Sequence, residues 1–163
     1  MFVKEFEVRW SDIDANRHLG NSAYTNFCSH TRMSYLEANG FGHRELAQYN
    51  MGPVAFYEHM YYFKEIIGSQ SVFVTLEVDG FSEGGMFFKF IHNFYNKKGE
   101  HLAHCEMLGA WIDLKTRAIT DLPLELRPWL NEAPKTATYQ TLTKEDTRKY
   151  QKKPVAINPE KFQ

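Results

Sequence analysis

The sequence predicts an α+β fold in which an antiparallel sheet wraps around one long central helix. Apolar and small residues that recur near the helical period indicate the helix. They are Tyr24, Phe27, Cys28, Thr31, Tyr35 and Leu36. Later segments alternate apolar and polar residues and are joined by short turns, which favours antiparallel pairing. A curved sheet can cover the single apolar face of such a helix, so we expect both to share one core.

A first strand leads into the helix through a short polar loop. Apolar residues alternate with charged ones there, as a half-buried strand requires. They are Phe6, Val8 and Trp10 against Glu5, Glu7 and Arg9. We expect the helix to begin near Asn21 or Ser22, since either side chain suits a helix cap. It should end at Asn39 and Gly40, because glycine readily takes the left-handed conformation that stops a helix.

Four more strands are expected after a short second helix at residues 43–49. They cover residues 54–66, 72–79, 86–94 and 101–113. Turns at 82–85 and 96–99 separate the last three, and Gly99 suits a hairpin because it tolerates positive φ. One aromatic cluster is expected to pack mainly within the sheet, and only secondarily to line an acyl tunnel. It consists of Phe87, Phe88, Phe90 and Phe94.

The loop before the helix concentrates groups that suit acyl transfer. The first amides of a helix have no partner within it, and the aligned peptide dipoles make that end partly positive. A backbone N–H near Asn21 would therefore polarise a carbonyl oxygen that becomes negative during reaction. Asp14 would act on the carbonyl carbon. The pair forms a minimal site for thioester hydrolysis, because a thiolate leaves easily.

The same residues resemble a known family signature. The run from Trp10 to Asp14, followed by His18 to Tyr24, resembles the hotdog-fold acyl-CoA thioesterases of the 4-hydroxybenzoyl-CoA thioesterase family. The spacing of Asp14, Asn16 and His18 is also similar to plant acyl-ACP thioesterases. The resemblance covers residues 3 to about 130. It implies a hotdog fold, an acyl-CoA or acyl-ACP substrate, and no cofactor.

The resemblance assigns a role to each matching position. Asp14 matches the catalytic aspartate, as nucleophile or general base, and Asn21 matches the residue whose backbone amide polarises the thioester carbonyl. Asn16 and His18 match a polar pair that orients water or assists the acid. Glu65 falls where several members keep a carboxylate that faces the site.

Two further positions of the motif concern substrate contact. Gly20 stands where many relatives have Asn, which removes side-chain contacts from that position and leaves the backbone chemistry unchanged. Tyr24, in the first helical turn, is expected to border the acyl pocket or simply to belong to the core.

Each candidate also has a structural interpretation. Asp14 suits an Asx turn, Asn16 a left-handed turn, and His18 an ordinary exposed loop position. Glu65 suits the surface of a strand. Asp12 is expected to fix the loop through backbone amides.

Two alternatives to hydrolysis remain open at this point. One is a non-catalytic acyl-thioester binding protein on the same scaffold, since a fold does not fix a function. The other is a hotdog hydratase or dehydratase.

Composition limits the remaining classes of function. The 163 residues and 43% hydrophobic content favour one domain with a sizeable core, and a formal net charge of −1 gives no general field for nucleic acid. No apolar run is long enough to cross a bilayer, and the start lacks a signal-peptide pattern, so we expect a cytoplasmic protein.

Cysteines and histidines favour structural roles. Cys28 and Cys105 are expected to be small buried apolar residues rather than a disulfide. His92, His101 and His104 lie in predicted strands without the spacing of a metal site, so no metal is expected.

The C-terminal end differs in charge from the rest of the chain. Residues 133–163 contain seven Lys or Arg and three Asp or Glu, which gives +4, whereas residues 1–132 contain twelve and seventeen, which gives −5. We expect a hotdog domain over 1–132 and a basic polar extension over 133–163, with a linker at 133–136. The extension would lie along the domain or a neighbouring subunit, or bind the phosphates of coenzyme A. Uncovered sheet edges favour a homodimer or homotetramer.

Overall fold

A computed structural model describes residues 1–162 and contains, within them, three α-helices and six strands. The helices are α1 (Asn21–Ala38), α2 (His43–Gln48) and α3 (Trp129–Glu132). The strands are β1 (Phe2–Glu7), β2 (Met51–Tyr62), β3 (Ser71–Phe81), β4 (Phe87–Tyr95), β5 (His101–Asp113) and β6 (Lys135–Thr141).

The strands form one sheet in the order β1-β3-β4-β5-β2. Every pair along this path is antiparallel, which confirms the antiparallel sheet predicted from the short turns. The prediction that the last strand ends at residue 113 was wrong. β6 continues past β1 along the same edge of β3, and it runs parallel to β3.

The 18-residue helix α1 packs against β3 and β1. Its buried residues are those that predicted the helix, with Ala23 in addition. The helix ends as expected, because Asn39 caps it, Gly40 has a φ of +79°, and the Phe41 amide donates to the Leu36 carbonyl at 2.8 Å.

The core lies between this helix and the sheet. Its two main clusters meet along α1. One surrounds Trp111 and Leu36, and the other surrounds Cys28 and Cys105. Both cysteines are fully buried and unpaired, as predicted.

β2 begins and ends earlier than its prediction of 54–66. Pro53 lies within it, which is tolerated because β2 is the last strand of the sheet and, among residues 1–162, pairs only with β5. After Tyr62 the chain leaves the sheet and passes beside the loop before α1. There the Leu19 amide donates to the Ile66 carbonyl at 2.7 Å. This departure from the sheet brings the segment around Glu65 to the start of α1.

The start of the predicted extension belongs to the folded structure. Ala133 is buried, and the Pro134 carbonyl accepts a hydrogen bond from the Val78 amide at 2.7 Å. Residues 133–136 are therefore not a linker. The domain boundary at residue 132 stays a prediction.

Candidate active site at the start of α1

A tight turn presents the acidic loop. The Asp14 amide donates to the His18 carbonyl at 2.8 Å, and the Arg17 amide donates to the Asp14 carbonyl at 3.0 Å. Arg17, rather than Asn16, takes the left-handed conformation, with a φ of 66°. Ahead of this turn, the buried Asp12 carboxylate accepts a hydrogen bond from the Arg9 backbone amide at 2.9 Å, which is the one backbone amide within residues 1–162 through which it fixes the chain. Hydrogen bonds from the Arg9 guanidinium hold the pKa of Asp12 below its usual value.

Asp14 forms the Asx turn that its position suggested. Its Oδ1 accepts hydrogen bonds from the backbone amides of Asn16 at 2.8 Å and His18 at 3.3 Å. The other oxygen, Oδ2, has no hydrogen-bond partner within residues 1–162, and the residue is exposed. One carboxylate oxygen thus shapes the loop, and the second can meet a ligand.

His18 and Glu65 lie in side-chain contact. The distance between His18 Nε2 and Glu65 Oε2 is 2.9 Å, and the two side chains are 40% and 58% exposed. Glu65 lies in the loop after β2 and not on a strand, which corrects its predicted position. Exposed pairs of this kind add little to folding stability.

Within the described residues, no side chain caps the start of α1. Gly20 is the cap residue, with φ −64° and ψ 147°, and Asn21 is the first helical residue. The prediction that Asn21 or Ser22 caps the helix was wrong, because the Asn21 Oδ1 accepts instead from the adjacent Ser22 amide at 3.0 Å. The Ala23 amide donates to the Gly20 carbonyl at 2.9 Å, so two of the first three amides of α1 are occupied. The Asn21 amide has no partner within residues 1–162 and is left for an external oxyanion.

Tyr24 lies one turn into α1 and is buried. Its ring packs edge-on against Tyr62 with centroids 5.0 Å apart. Burial raises the pKa of Tyr24 to about 12, and the nearby Tyr62 and Asp14 add to the effect. The hydroxyl therefore stays protonated near neutral pH and can donate a hydrogen bond.

One cavity of about 340 Å³ joins these groups. Five of the six predicted site residues line it: Asp14, His18, Asn21, Tyr24 and Glu65. Asn16 does not line it; its side chain is exposed and only its backbone contacts Asp14.

The other walls come from Leu19 and from residues 62–64, where the chain leaves β2. Sequence reasoning missed Tyr62, Phe63 and Lys64. The sequence signal for these residues was the aromatic run at the end of a strand. Such a run does not distinguish a cavity wall from a hydrophobic core.

Other cavities and clusters offer less chemistry. A cleft of about 760 Å³ near the β4–β5 turn is lined by polar residues such as Glu5, Gln70 and Lys97, without an adjacent helix start. Within the described part of the chain, no group of three or more His, Cys, Asp or Glu residues could hold a metal ion. No described helix is long and apolar enough to span a membrane.

The chain belongs to the thioesterase-like superfamily, because the model of that family matches residues 8–130. No curated protein sequence matches the chain.

Solved structures share this fold at low sequence identity. A hypothetical protein of Staphylococcus aureus in complex with CoA is 17% identical, with a TM-score of 0.76 over 96% of this chain and 95% of that one. The probable thioesterase YbaW of Escherichia coli is 22% identical, with a TM-score of 0.71 over 83% and 100%. The DHNA-CoA thioesterase of Staphylococcus aureus is 19% identical, with a TM-score of 0.71 over 79% and 85%.

Proposed function

We propose that this protein is an acyl-CoA thioesterase that hydrolyses a thioester to free CoA and a carboxylic acid. One observation carries the proposal: the Asp14 carboxylate and the uncapped start of α1 line the same cavity. A negative group and a positively polarised helix end, placed on either side of a carbonyl, are what thioester cleavage requires. Membership of the thioesterase-like superfamily and a fold shared with a CoA complex support CoA as the thiol carrier.

In the proposed reaction, the thioester carbonyl oxygen accepts a hydrogen bond from the Asn21 backbone amide. As general base, Asp14 takes a proton from water, and the oxygen of that water bonds to the carbonyl carbon. The C–S bond then breaks, and the CoA thiolate leaves and takes up a proton. As nucleophile, Asp14 would instead form a mixed anhydride that water opens. The two routes use the same carboxylate and release the same products.

The remaining site residues take supporting roles in this proposal. His18, held by Glu65, orients the attacking water or supports the protonated acid that forms at Asp14. Tyr24 donates a hydrogen bond at the edge of the acyl group. Asn16 acts through its backbone, which donates to Asp14, because its side chain lies outside the cavity wall.

A thiol-release assay tests the function directly. Purified protein is incubated with short-chain, long-chain and aryl acyl-CoAs, and free thiol is measured against time. We expect continuous release with at least one acyl class. If no acyl-CoA releases thiol but the matching acyl-ACP does, the substrate is an acyl-ACP and the proposed hydrolysis still holds.

A binding protein is the second candidate, and one observation favours it. Asp14 already has a structural task in the Asx turn, so its presence does not by itself require catalysis. A binding protein would retain intact acyl-CoA after long incubation. Recovery of unhydrolysed ligand from the complex would decide for this alternative.

A further inference from the structure

One flank of α1 faces β2 along a regular line of side chains. Four residues of a helix rise about 6 Å and two residues of a strand about 6.6 Å, so the two spacings nearly match. The helix and the strand run in opposite directions here. The facing positions are Tyr24 and Tyr62, Cys28 and Met60, and Arg32 and Glu58. We call this line of residues the α1–β2 seam.

The seam ends in a cavity because β2 bulges. Its pairing with β5 shifts between Ala55 and Tyr57, so that Phe56 is the extra residue. By the spacing of the seam Phe56 would face Leu36, but its side chain is 40% exposed and lies beside Phe87 instead. The space next to Leu36 is left as a cavity of about 200 Å³. Its lining is mainly apolar and includes Met33, Pro53, Phe88, Phe90 and Met107.

An ion pair crosses the seam between this cavity and the candidate active site. Arg32 Nη2 lies 2.9 Å from Glu58 Oε1, and the two side chains are only 11% and 26% exposed. The same nitrogen donates to Ser29 Oγ at 2.9 Å, and Nη1 lies 3.5 Å from His92 Nε2. Displacing one member of a largely buried pair is costly, because the other charge is left without a partner. The pair is therefore a firm crossing between α1 and β2.

Helix geometry gives the length of the seam on each side of this pair. Ser29 marks the height of the Arg32 guanidinium along the helix, and it is eight residues from Asn21, or about 12 Å. An extended alkyl chain advances about 1.3 Å per carbon, given C–C bonds of about 1.5 Å. About ten carbons therefore fit between the Asn21 amide and the pair. Leu36 is fifteen residues from Asn21, about 22 Å, which requires about seventeen carbons.

The section of the seam before the ion pair suits an aliphatic chain. It begins at the candidate active site, since Tyr24 and Tyr62 line that cavity. It continues past Cys28, which is fully buried, and Met60, which is half-buried. A methionine side chain is unbranched and adapts to the shape of an apolar neighbour. A hydrocarbon chain placed here would thus meet apolar or aromatic side chains until it reaches the charges.

We propose that the acyl group of the substrate is an aliphatic chain of medium length that lies in the α1–β2 seam, and that the Arg32–Glu58 pair sets the upper limit of its length. This inference rests on the proposed thioesterase function. A chain of about ten carbons ends at the pair, whereas a longer chain has to displace it. The cavity made by the bulge in β2 becomes an acyl site only when the pair is removed.

Removal of the pair tests the limit. Arg32→Ala and Glu58→Ala are combined in the full chain, so that neither charge is left alone. Thiol release gives kcat/KM for decanoyl-CoA and palmitoyl-CoA at submicellar concentrations. The wild type should favour decanoyl-CoA by about tenfold or more, and the double variant should raise the palmitoyl-to-decanoyl ratio by about tenfold or more. Arg127→Ala with Asp121→Ala removes an ion pair outside the seam and should leave the ratio within about twofold.

Two further variants separate an opened seam from a loosened fold. Ala55 lines the cavity, so Ala55→Leu added to the double variant should narrow it and return the ratio to within about threefold of the wild type. Arg32→Met with Glu58→Leu removes the charges and keeps most of the side-chain volume, which favours a folded protein. It should also raise the palmitoyl-to-decanoyl ratio, because flexible apolar side chains can move aside.

A binding measurement makes the test independent of hydrolysis. The thioethers S-decyl-CoA and S-hexadecyl-CoA cannot be hydrolysed, and calorimetry gives their dissociation constants. The wild type should bind the decyl compound more tightly, and the double variant should bind the hexadecyl compound about tenfold more tightly than the wild type does. Equal chain-length preference in the wild type and in both charge-removing variants, or a wild-type preference for the longer chains, would overturn the limit. Absence of thiol release from every acyl-CoA would refute the proposed function, and the thioether comparison would still decide the limit.

Discussion

Asp14 shapes its own loop and also lines the candidate site, and one substitution separates the two roles. The two backbone amides that donate hydrogen bonds to this carboxylate both bind Oδ1. Asparagine keeps an oxygen at that position and loses only the negative charge. The loop should therefore survive the change while the chemistry does not.

We expect Asp14→Asn to slow thiol release about a hundredfold or more, because neither a nucleophile nor a general base remains. Its thermal unfolding midpoint should match that of the wild type. Asp121→Asn, which removes an exposed carboxylate outside the cavity, is the control and should retain full activity. A full-rate Asp14→Asn variant would remove this residue from the mechanism.

The role of the His18–Glu65 contact can be tested by comparison with a neighbouring pair. Lys64 and Glu100 form another exposed pair, with a distance of 2.9 Å between Nζ and Oε1. Glu65→Gln and Glu100→Gln should each leave the thermal unfolding midpoint almost unchanged, because exposed pairs add little to stability. Only Glu65→Gln should slow thiol release, by roughly tenfold, because it releases the imidazole from its orientation. Equal rates in the two variants would show that the His18–Glu65 contact has no part in catalysis.

The position of β6 depends on the close approach of Gly80 in β3 to Gln140 and Leu142. A methyl group on Gly80 would lie 2.7 Å from Leu142 Cδ2 and 2.8 Å from the Gln140 carbonyl oxygen. Because one of these atoms is backbone, β6 and Leu142 would have to move away from β3. Gly20 contrasts with this, since a methyl group there meets ordinary contacts of 3.5 Å or more.

Gly80→Ala should therefore lower the free energy of unfolding by about 1–3 kcal/mol, measured by urea denaturation. Gly20→Ala is the matched control and should cost less than about 1 kcal/mol, the usual difference between these residues at a helix cap. Equal stability of Gly80→Ala and the wild type would mean that β6 is not held against β3 as described.

The stability of the whole molecule should depend on pH through His92. This ring is fully buried, and burial, with the charge of Arg32, lowers its pKa to about 3. Its Nδ1 lies 2.9 Å from the Thr75 carbonyl oxygen, so Nδ1 carries the proton and Nε2 faces Arg32. The folded state thus holds a neutral ring.

Below a pH of about 6.5, the unfolded chain binds a proton at this histidine that the folded chain excludes. The stabilisation is complete above that pH and is lost as pH falls from about 6.5 towards 3. Between pH 6.5 and 5 the free energy of unfolding should fall by on the order of 2 kcal/mol. Denaturation at several pH values should show this slope in the wild type and in exposed His43→Gln. His92→Gln should have a smaller slope, whatever its absolute stability, and an identical slope would contradict the assignment.

Local sequence patterns predicted the elements whose buried faces follow a regular spacing of apolar residues. The spacing of apolar residues gave α1 and its buried face, and the alternating residues of β3 and the glycine of the β4–β5 turn gave the central hairpins. β6 escaped because Lys135–Thr141 is mostly exposed and has little apolar content, and its pairing depends on distant β3. The end of β2 was misplaced for a related reason, since contacts with Leu19 draw the chain out of the sheet.

The sequence by itself determined that a carboxylate precedes the start of a long helix, because both features arise within one stretch of about ten residues. Only the tertiary structure decided that Glu65 reaches His18, that residues 62–64 complete the cavity, and that Asn16 lies outside it. It also placed the C-terminal segment over buried charges on the sheet. These outcomes depend on contacts between residues far apart in the chain, and such contacts form only when the hydrophobic core fixes the relative positions of helix and sheet.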